Sequence, residues 1–419
     1  MAKDSLVIAG VRTVDGADVD VLIEAESIRS VTAAAKTKQA PDGATVFPGA
    51  GLLVIPGFVD VHVHLDKAFT RDELRQHDGT LKGAIRAMRE RKAAYTPEDV
   101  AGRAVRLIRS SVAAGVTRIR SHVDIDSVAN LEALEGVQMA AKECADLCDV
   151  QTVAFPQEGV RRDPPTRGLM ERAVEAGVDL IGGMPHWEDG EDDQRAHVDF
   201  CFDLAMEADL DVDMHVDEVD DGRIRTLEMV ADCTLARGWE GRVTAGHVCS
   251  LAAADHAYAE RVISKCRDAG MTIVSNPATN LMIQGREDRG LVRRGTTRIA
   301  ELRAAGVNLC FGQDNVCDGF YPFGRGDMLE VALVSAHAAH LTTDEDLLYA
   351  LACVTEGPAR IWPETTYGIR PGARADLSLF RASSWEEALR LQRPPELVLF
   401  RGRPVARSVV TSQTGSIGL

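Results

Sequence analysis

Between Val59 and Asp314, eight short β-rich segments alternate with longer amphipathic helical segments, and this alternation constrains the fold more than any other feature of the chain. The β-rich segments cover residues 59–65, 116–124, 150–157, 179–185, 210–218, 242–248, 272–277 and 307–314. Helical periodicity fills the gaps, as in residues 97–115, 131–147, 197–209 and 298–306, the first and last of which stop at Gly115 and Gly306. Strands that alternate with helical crossovers pair in parallel, and eight such units in about 300 residues predict a (β/α)8 TIM barrel.

The two ends of the chain read differently. Residues 5–14, 18–31 and 45–57 are short β-type runs broken by turn residues, and the pattern returns near Thr366 in residues 375–382, 396–405 and 408–412. These flanks are expected to pair into one small β-sandwich. The predicted division is therefore 1–54 as the first half of the sandwich, 55–365 as the barrel and 366–419 as the second half.

Composition excludes some partners. The chain has 419 residues, 45% of them apolar and 26% charged, as in soluble globular proteins. A formal net charge of −17 repels phosphate backbones and anionic bilayers, so neither nucleic acid nor a membrane is expected as partner. The nine cysteines follow no disulfide spacing, and Cys144 and Cys148, four apart on a helical run, lack the second pair that zinc would want. They read as free thiols in a reducing compartment. The N-terminus shows no basic-then-apolar leader and no run approaches the roughly 18 apolar residues that span a bilayer. The expected location is cytoplasmic.

In a barrel of this type, chemistry sits at the C-terminal ends of the strands. Here those ends carry residues that are costly to bury without a task. The first strand ends in His62, His64, Asp66 and Lys67, and the second in His122, Asp124 and Asp126. The third ends in Gln157 and Glu158, and the fourth in His186. The fifth carries His215, Asp217 and Glu218, the sixth His247, the seventh Asn276 and Asn280, and the eighth Gln313, Asp314 and Asn315. On a strand, His62 and His64 project from one face.

Three neutral imidazoles, His62, His64 and His215, with the Asp314 carboxylate suit one divalent ion per chain, Fe2+ or Zn2+, with a position left open. Such a metal lowers the pKa of water towards neutrality and supplies hydroxide. Glu218 lies three residues past His215 and could carry protons, His247 could stabilise charge, and Asp314 could also accept a proton. His122 and His186 are expected to support a carboxylate or to line the pocket. His77, His197, His256, His337 and His340 fall on helical or loop stretches and read as structural or solvated. Lys67 falls in a loop-like segment. The fourth strand has no lysine, which argues against a metal pair bridged by a carbamylated lysine.

The motifs PGFVDVHVHLDK, RSHVDID, AFPQEG, GGMPHWE, HVDEVDD, RVTAGHV, SNPATNLMIQGR and FGQDNVCDGFYPFGRGDM run from Pro56 to Met328. In that order they resemble the amidohydrolase superfamily and, within it, the bacterial cytosine deaminases. The paired histidines are common to the superfamily, whereas the AFPQEG and HxDExDD forms are much narrower. The resemblance implies a single iron or zinc ion held by His62, His64, His215 and Asp314, with protons moved by Glu218, His247 and Asp314. It implies that Gln157 reads the amide edge of a base through its carboxamide, which can both donate and accept. By this analogy hydroxide attacks the carbon that bears the exocyclic amine, and ammonia leaves, as in cytosine to uracil. Homo-oligomeric assembly is common in the family and is expected here.

Two departures bear on substrate. Asn315 stands where bacterial cytosine deaminases usually carry a second aspartate, and Cys317 and Phe320 stand where relatives carry larger side chains. A roomier, less acidic pocket suits a substituted pyrimidine, a triazine or another cyclic amidine. The expected substrate is thus a small amino-heterocycle, bound with help from Gln157, Asn315, Phe320, His122 and His186. The alternatives are removal of an amine from an aminotriazine, of the N-isopropylammelide type, and, less favoured, cyclic amide hydrolysis. The Asp314–Asn315 pair and the GRGDM run are features shared with the aminotriazine enzymes.

Overall fold

A computed structural model describes residues 5–34, 43–74, 81–290, 295–362 and 366–411. His77 lies outside the described residues, as do the residues from 412 onwards.

The N-terminal flank forms β1 (Ser5–Arg12), β2 (Asp18–Glu24), β3 (Ser27–Ala33), β4 (Thr45–Pro48) and β5 (Leu53–Pro56). The barrel strands follow as β6 (Phe58–Val63), β7 (Val116–Asp124), β8 (Asp149–Phe155), β9 (Leu180–Ile181), β10 (Asp211–Val216), β11 (Val243–His247), β12 (Thr272–Ser275) and β13 (Asn308–Phe311). The C-terminal flank adds β14 (Leu377–Phe380), β15 (Leu397–Phe400) and β16 (Arg403–Arg407). Ser408–Thr411 carry no strand, so the expected β-run at 408–412 does not form over its described part.

Strands β6 to β13 pair in parallel in chain order, as predicted. The seam between β13 and β6 is closed at their C-terminal ends. There the Asp314 N–H donates to His62 O at 2.7 Å and the His64 N–H donates to Asp314 O at 3.2 Å. Closure therefore fixes three candidate metal ligands against one another. The strands are mostly buried, β7 at all nine positions, with half-buried residues only at the starts of β8, β10 and β13, because helices cover the barrel from outside.

The helix Pro97–Ala113 shows why these segments fold as they do. Thr96 accepts the Asp99 N–H, Pro97 opens the first turn, and Glu98 and Asp99 face the positive end of the helix dipole. Val100, Ala104, Leu107, Ile108 and Val112 make a buried stripe at helical spacing. The helix ends at Gly115, whose φ of +100° is a left-handed conformation and where a Cβ would lie 2.7 Å from Ser378 Oγ.

The two flanks form one sheet, in the order β16-β15-β14-β5-β1-β2-β3, with β4 beside β1. Val21 and Ile23 of β2 share an apolar cluster with Leu377 and Leu379 of β14 and Leu399 of β15, so the sheet curls over its own core. The β5–β14 pairing places this sheet at the entry to β6. Among the described residues no helix is long and apolar enough to cross a membrane.

Candidate active site

Three barrel strands deliver the predicted ligands. His62 is the last residue but one of β6, with His64 just past the strand, His215 lies on β10 and Asp314 follows β13. One ligand atom from each of the four lies within 4.8 Å of the others. His64 Nε2 is 3.2 Å from His215 Nε2, and Asp314 Oδ1 is 3.4 Å from His64 Nε2 and 3.8 Å from His62 Nε2.

The donor set fits a divalent cation on two observations. Both His62 nitrogens and Asp314 Oδ2 are buried with no hydrogen-bond partner, an arrangement that leaves lone pairs unpaid unless a cation binds. Burial, and then the neighbouring positive groups, hold the His62, His64 and His215 pKa values well below the usual imidazole value, so all three offer neutral nitrogen. His64 Nδ1 lies 3.1 Å from the His122 carbonyl. A proton there donates to that oxygen and leaves Nε2 facing the cluster.

Glu218 and His247 adjoin this cluster. His247 Nδ1 is 3.0 Å from Glu218 Oε1 and 4.0 Å from Asp314 Oδ2, and Asn280 Nδ2 donates to Glu218 Oε1 at 2.9 Å. Burial opposes a charge on His247, but Glu218, Asp314 and Asn280 outweigh it and push its pKa up to about 9. Burial also opposes a charge on Glu218, yet His247 keeps it below the usual carboxyl value. In Asp314 burial wins and pushes the carboxyl up to about 6. Asp217, His247, Val248 and Asp314 all have positive φ, between 52° and 69°. Such strained residues gathered at strand ends mark a functional site.

A cavity opens over the cluster, lined by His64, His215, Glu218 and Asp314 and walled by Lys67, Gln157, His186, Asn315 and Phe320. His186 reaches this wall with Nδ1 unpartnered, and burial holds it neutral. His122 does not line the cavity. Its Nε2 is bound to Asp213 at 3.2 Å, and its ring packs 4.1 Å from that of His62, so it lies behind the ligands.

Two amides in the wall have a fixed sense. Lys67 Nζ donates to Gln157 Oε1 at 2.6 Å, and because an ammonium can only donate, the atom it meets is the oxygen. Gln157 is thus left with Nε2, whose described partner is Met184 Sδ at 3.4 Å. This narrows the expectation that the carboxamide both donates and accepts: towards the cavity it can donate. Asn315 is set in the opposite sense. Its Nδ2 donates to Asp318 Oδ2 at 2.6 Å, which leaves its Oδ1 to accept. Asp318 Oδ1 in turn takes the Phe320 and Tyr321 N–H groups and so shapes the loop that carries Phe320.

Several contributors escaped sequence reasoning. Lys67 lies in the turn after β6, as its loop-like segment suggests, yet is 3% exposed, held by Asp124 at 2.9 Å beside the Phe155 ring. Lys92, at the end of the helix Leu81–Lys92, is 4% exposed. A lysine in the last turn of a helix ordinarily signals a solvated end, so no local pattern marks it. His197 is structural as expected, buried with Nδ1 2.8 Å from Glu188.

The profile of the amidohydrolase family matches residues 70–406. The chain is 35% identical over 361 residues to the pterin deaminase of Rhizobium rhizogenes, covering 85% of this chain and 81% of that one. It is 32% identical over 374 residues to the N-isopropylammelide isopropyl amidohydrolase of Pseudomonas sp. strain ADP, covering 86% and 87%. The crystal structure of the Klebsiella pneumoniae 5-methylcytosine deaminase with 5-fluorocytosine superposes with a TM-score of 0.91 at 36% identity, over 98% of this chain and 99% of that one. That structure extends the likeness to the first barrel strand, which precedes the profile match. Sequence, fold and the histidine–aspartate cluster agree: the chain belongs to the amidohydrolase family, as a cytosine deaminase-like hydrolase of C–N bonds.

Proposed function

We propose that the protein hydrolytically deaminates a cytosine-like amino-heterocycle, converting cytosine to uracil and ammonia or acting likewise on a related cyclic amidine. The observation that carries this reading is the convergence of Glu218, His247 and Asp314, each offering an atom within 4.8 Å of the others, on the cluster that His62, His64 and His215 share. Fe2+ or Zn2+ held by His62, His64, His215 and Asp314 supplies a nucleophilic water at neutral pH.

The chain's own residues do the rest. Gln157 Nε2 donates to an acceptor on the ring, and Asn315 Oδ1 accepts a ring or amine N–H, so the reacting carbon is held over the cluster. Glu218, ionised beside His247, takes one proton from the attacking water and delivers it to the ring nitrogen as the carbon becomes tetrahedral. Asp314 Oδ2 takes the proton left on the added oxygen, and that proton passes with the help of Glu218 to the exocyclic nitrogen, so that the C–N bond breaks and ammonia leaves. His247, paired with Glu218, sits where charge develops on the attacking oxygen. His186 and Phe320 wall the ring. His122 supports His62 and His64 from behind.

A second reading, removal of an amine from an aminotriazine, is favoured by the Asp314–Asn315 pair and by the relative that acts on N-isopropylammelide. Metal-loaded protein incubated with aminopyrimidines, aminopterins, aminotriazines and hydantoins separates the readings. Ammonia release from an aminated pyrimidine is expected. Silence on every aminated ring, with opening of a ring amide, would overturn deamination.

A further inference from the structure

Along the donor side of the cavity, with Lys92, Asp124 and Glu158 in its wall, runs an ionic relay that the mechanism does not use. Lys92 Nζ donates to Asp126 Oδ2 at 2.6 Å, Asp124 Oδ2 at 3.1 Å and Glu158 Oε1 at 3.2 Å. Asp124 Oδ1 faces the other way and holds Lys67 Nζ at 2.9 Å. Lys67 Nζ then donates to Gln157 Oε1 at 2.6 Å. The order is Lys92, Asp124, Lys67, Gln157, alternating cation, anion, cation and amide oxygen. Asp124 and Asp126 are at most 1% exposed, so neither of these two carboxylates can fall back on water, whereas Glu158 is part-exposed.

We propose that Lys92 is a positioning residue for substrate recognition, acting through Asp124 and Lys67 to hold the Gln157 carboxamide with its N–H groups towards the cavity. The inference rests on reading that cavity as the substrate site. With Lys92 present, each carboxylate has a cation of its own, and Asp124 is free to aim one oxygen at Lys67. Without it, Asp124, Asp126 and Glu158 are left to share Lys67 and Arg89, which lies 2.7 Å from Glu158. Lys67 is then drawn off Gln157 Oε1, and the amide is free to rotate and offer its oxygen to a ring acceptor, a repulsive contact. Lys92 touches none of the reacting atoms in this scheme, so its effect falls on binding.

The test uses the full-length, metal-loaded protein as wild type, Lys92→Met, Gln157→Leu and the double variant. Ammonia release gives kcat and KM for cytosine or the best aminated ring, and calorimetry gives Kd for cytosine and uracil. We expect Lys92→Met to raise KM and Kd about tenfold or more, with kcat within about threefold and one metal per chain retained. In the Gln157→Leu background the same change should cost less than about threefold, because its effect runs through an amide already removed. Equal losses in both backgrounds, an unchanged KM, or kcat falling with metal content would overturn the proposal. Lys92→Gln, which keeps one donor for Asp126, carries the same test where Lys92→Met does not fold. Rings that bind without releasing ammonia would sink the deaminase reading and leave the Kd series to decide on Lys92. A wild type that binds none of these rings would overturn both.

Discussion

Asn315 looks like the loss of an acidic group, but its surroundings restore the function of an acceptor. Asp318 claims its N–H group at 2.6 Å, so the oxygen is what the pocket receives. Burial pushes the Asp318 carboxyl up to about 6, against the pull of the Tyr321 and Phe320 N–H groups and Asn315. An unfolded aspartate titrates near 4. Between those values the folded protein keeps a proton that the unfolded chain has released, so stability falls as pH rises through that window, by roughly 3 kcal/mol at most. Asp318→Asn abolishes this titration. Its melting temperature relative to wild type should climb between about pH 4 and pH 7 in thermal denaturation, and a difference that does not vary with pH would contradict the assignment. At Glu218 the expectation is kinetic. Glu218→Gln should lower kcat by about 10²–10⁴-fold while metal analysis still finds one ion per chain, and loss of the ion would make Glu218 a ligand instead.

At the scale of elements, β11 and the residue that follows β13 make room for a histidine on β6. A Cβ on Gly246 would lie 2.8 Å from His62 Cε1, and one on Gly312 would lie 2.7 Å from His62 Cβ and 2.5 Å from Asn276 Oδ1. Gly246→Ala should therefore displace the His62 ring and weaken metal retention about 10–100-fold in a chelator titration, with little change in far-UV circular dichroism. All eight strands were legible from sequence because buried parallel strands are continuous apolar runs, and the candidate ligands were legible because polar residues within or just past such runs are costly to bury. What could not be read depends on contacts distant in sequence. Lys92 meets Asp124 across 32 positions, and Lys67 meets Gln157 across 90, so their burial follows from closure of the barrel. Which of its two expected roles His122 takes could not be read for a related reason. Alternation along β7 puts it inside the barrel, but depth behind the ligands is set by Asp213 on another strand.

The whole molecule is tied together where the terminal sheet meets the barrel floor. Asp376, next to β14, accepts from Arg374 Nε at 2.6 Å and faces buried Arg118 on β7 at 3.5 Å, while its carbonyl takes the Gly57 N–H at 2.8 Å. Arg374 also reaches Asp149 on β8 at 2.6 Å. Asp376→Ala strands the Arg118 guanidinium away from water and should cost about 3–5 kcal/mol. Because β5 and β6 are separated by Gly57 alone, sheet and barrel should melt in one transition, and calorimetry resolving two would show that they are independent units.

The central claim is that one divalent ion, held by His62, His64, His215 and Asp314, serves the hydrolysis of an amine from a heterocycle. Metal-depleted protein titrated with Zn2+ or Fe2+, with ammonia release from an aminopyrimidine followed at each addition, tests it most directly. Activity should rise from baseline and saturate at one ion per chain. Full activity without metal, or saturation only at two ions per chain, would contradict the account.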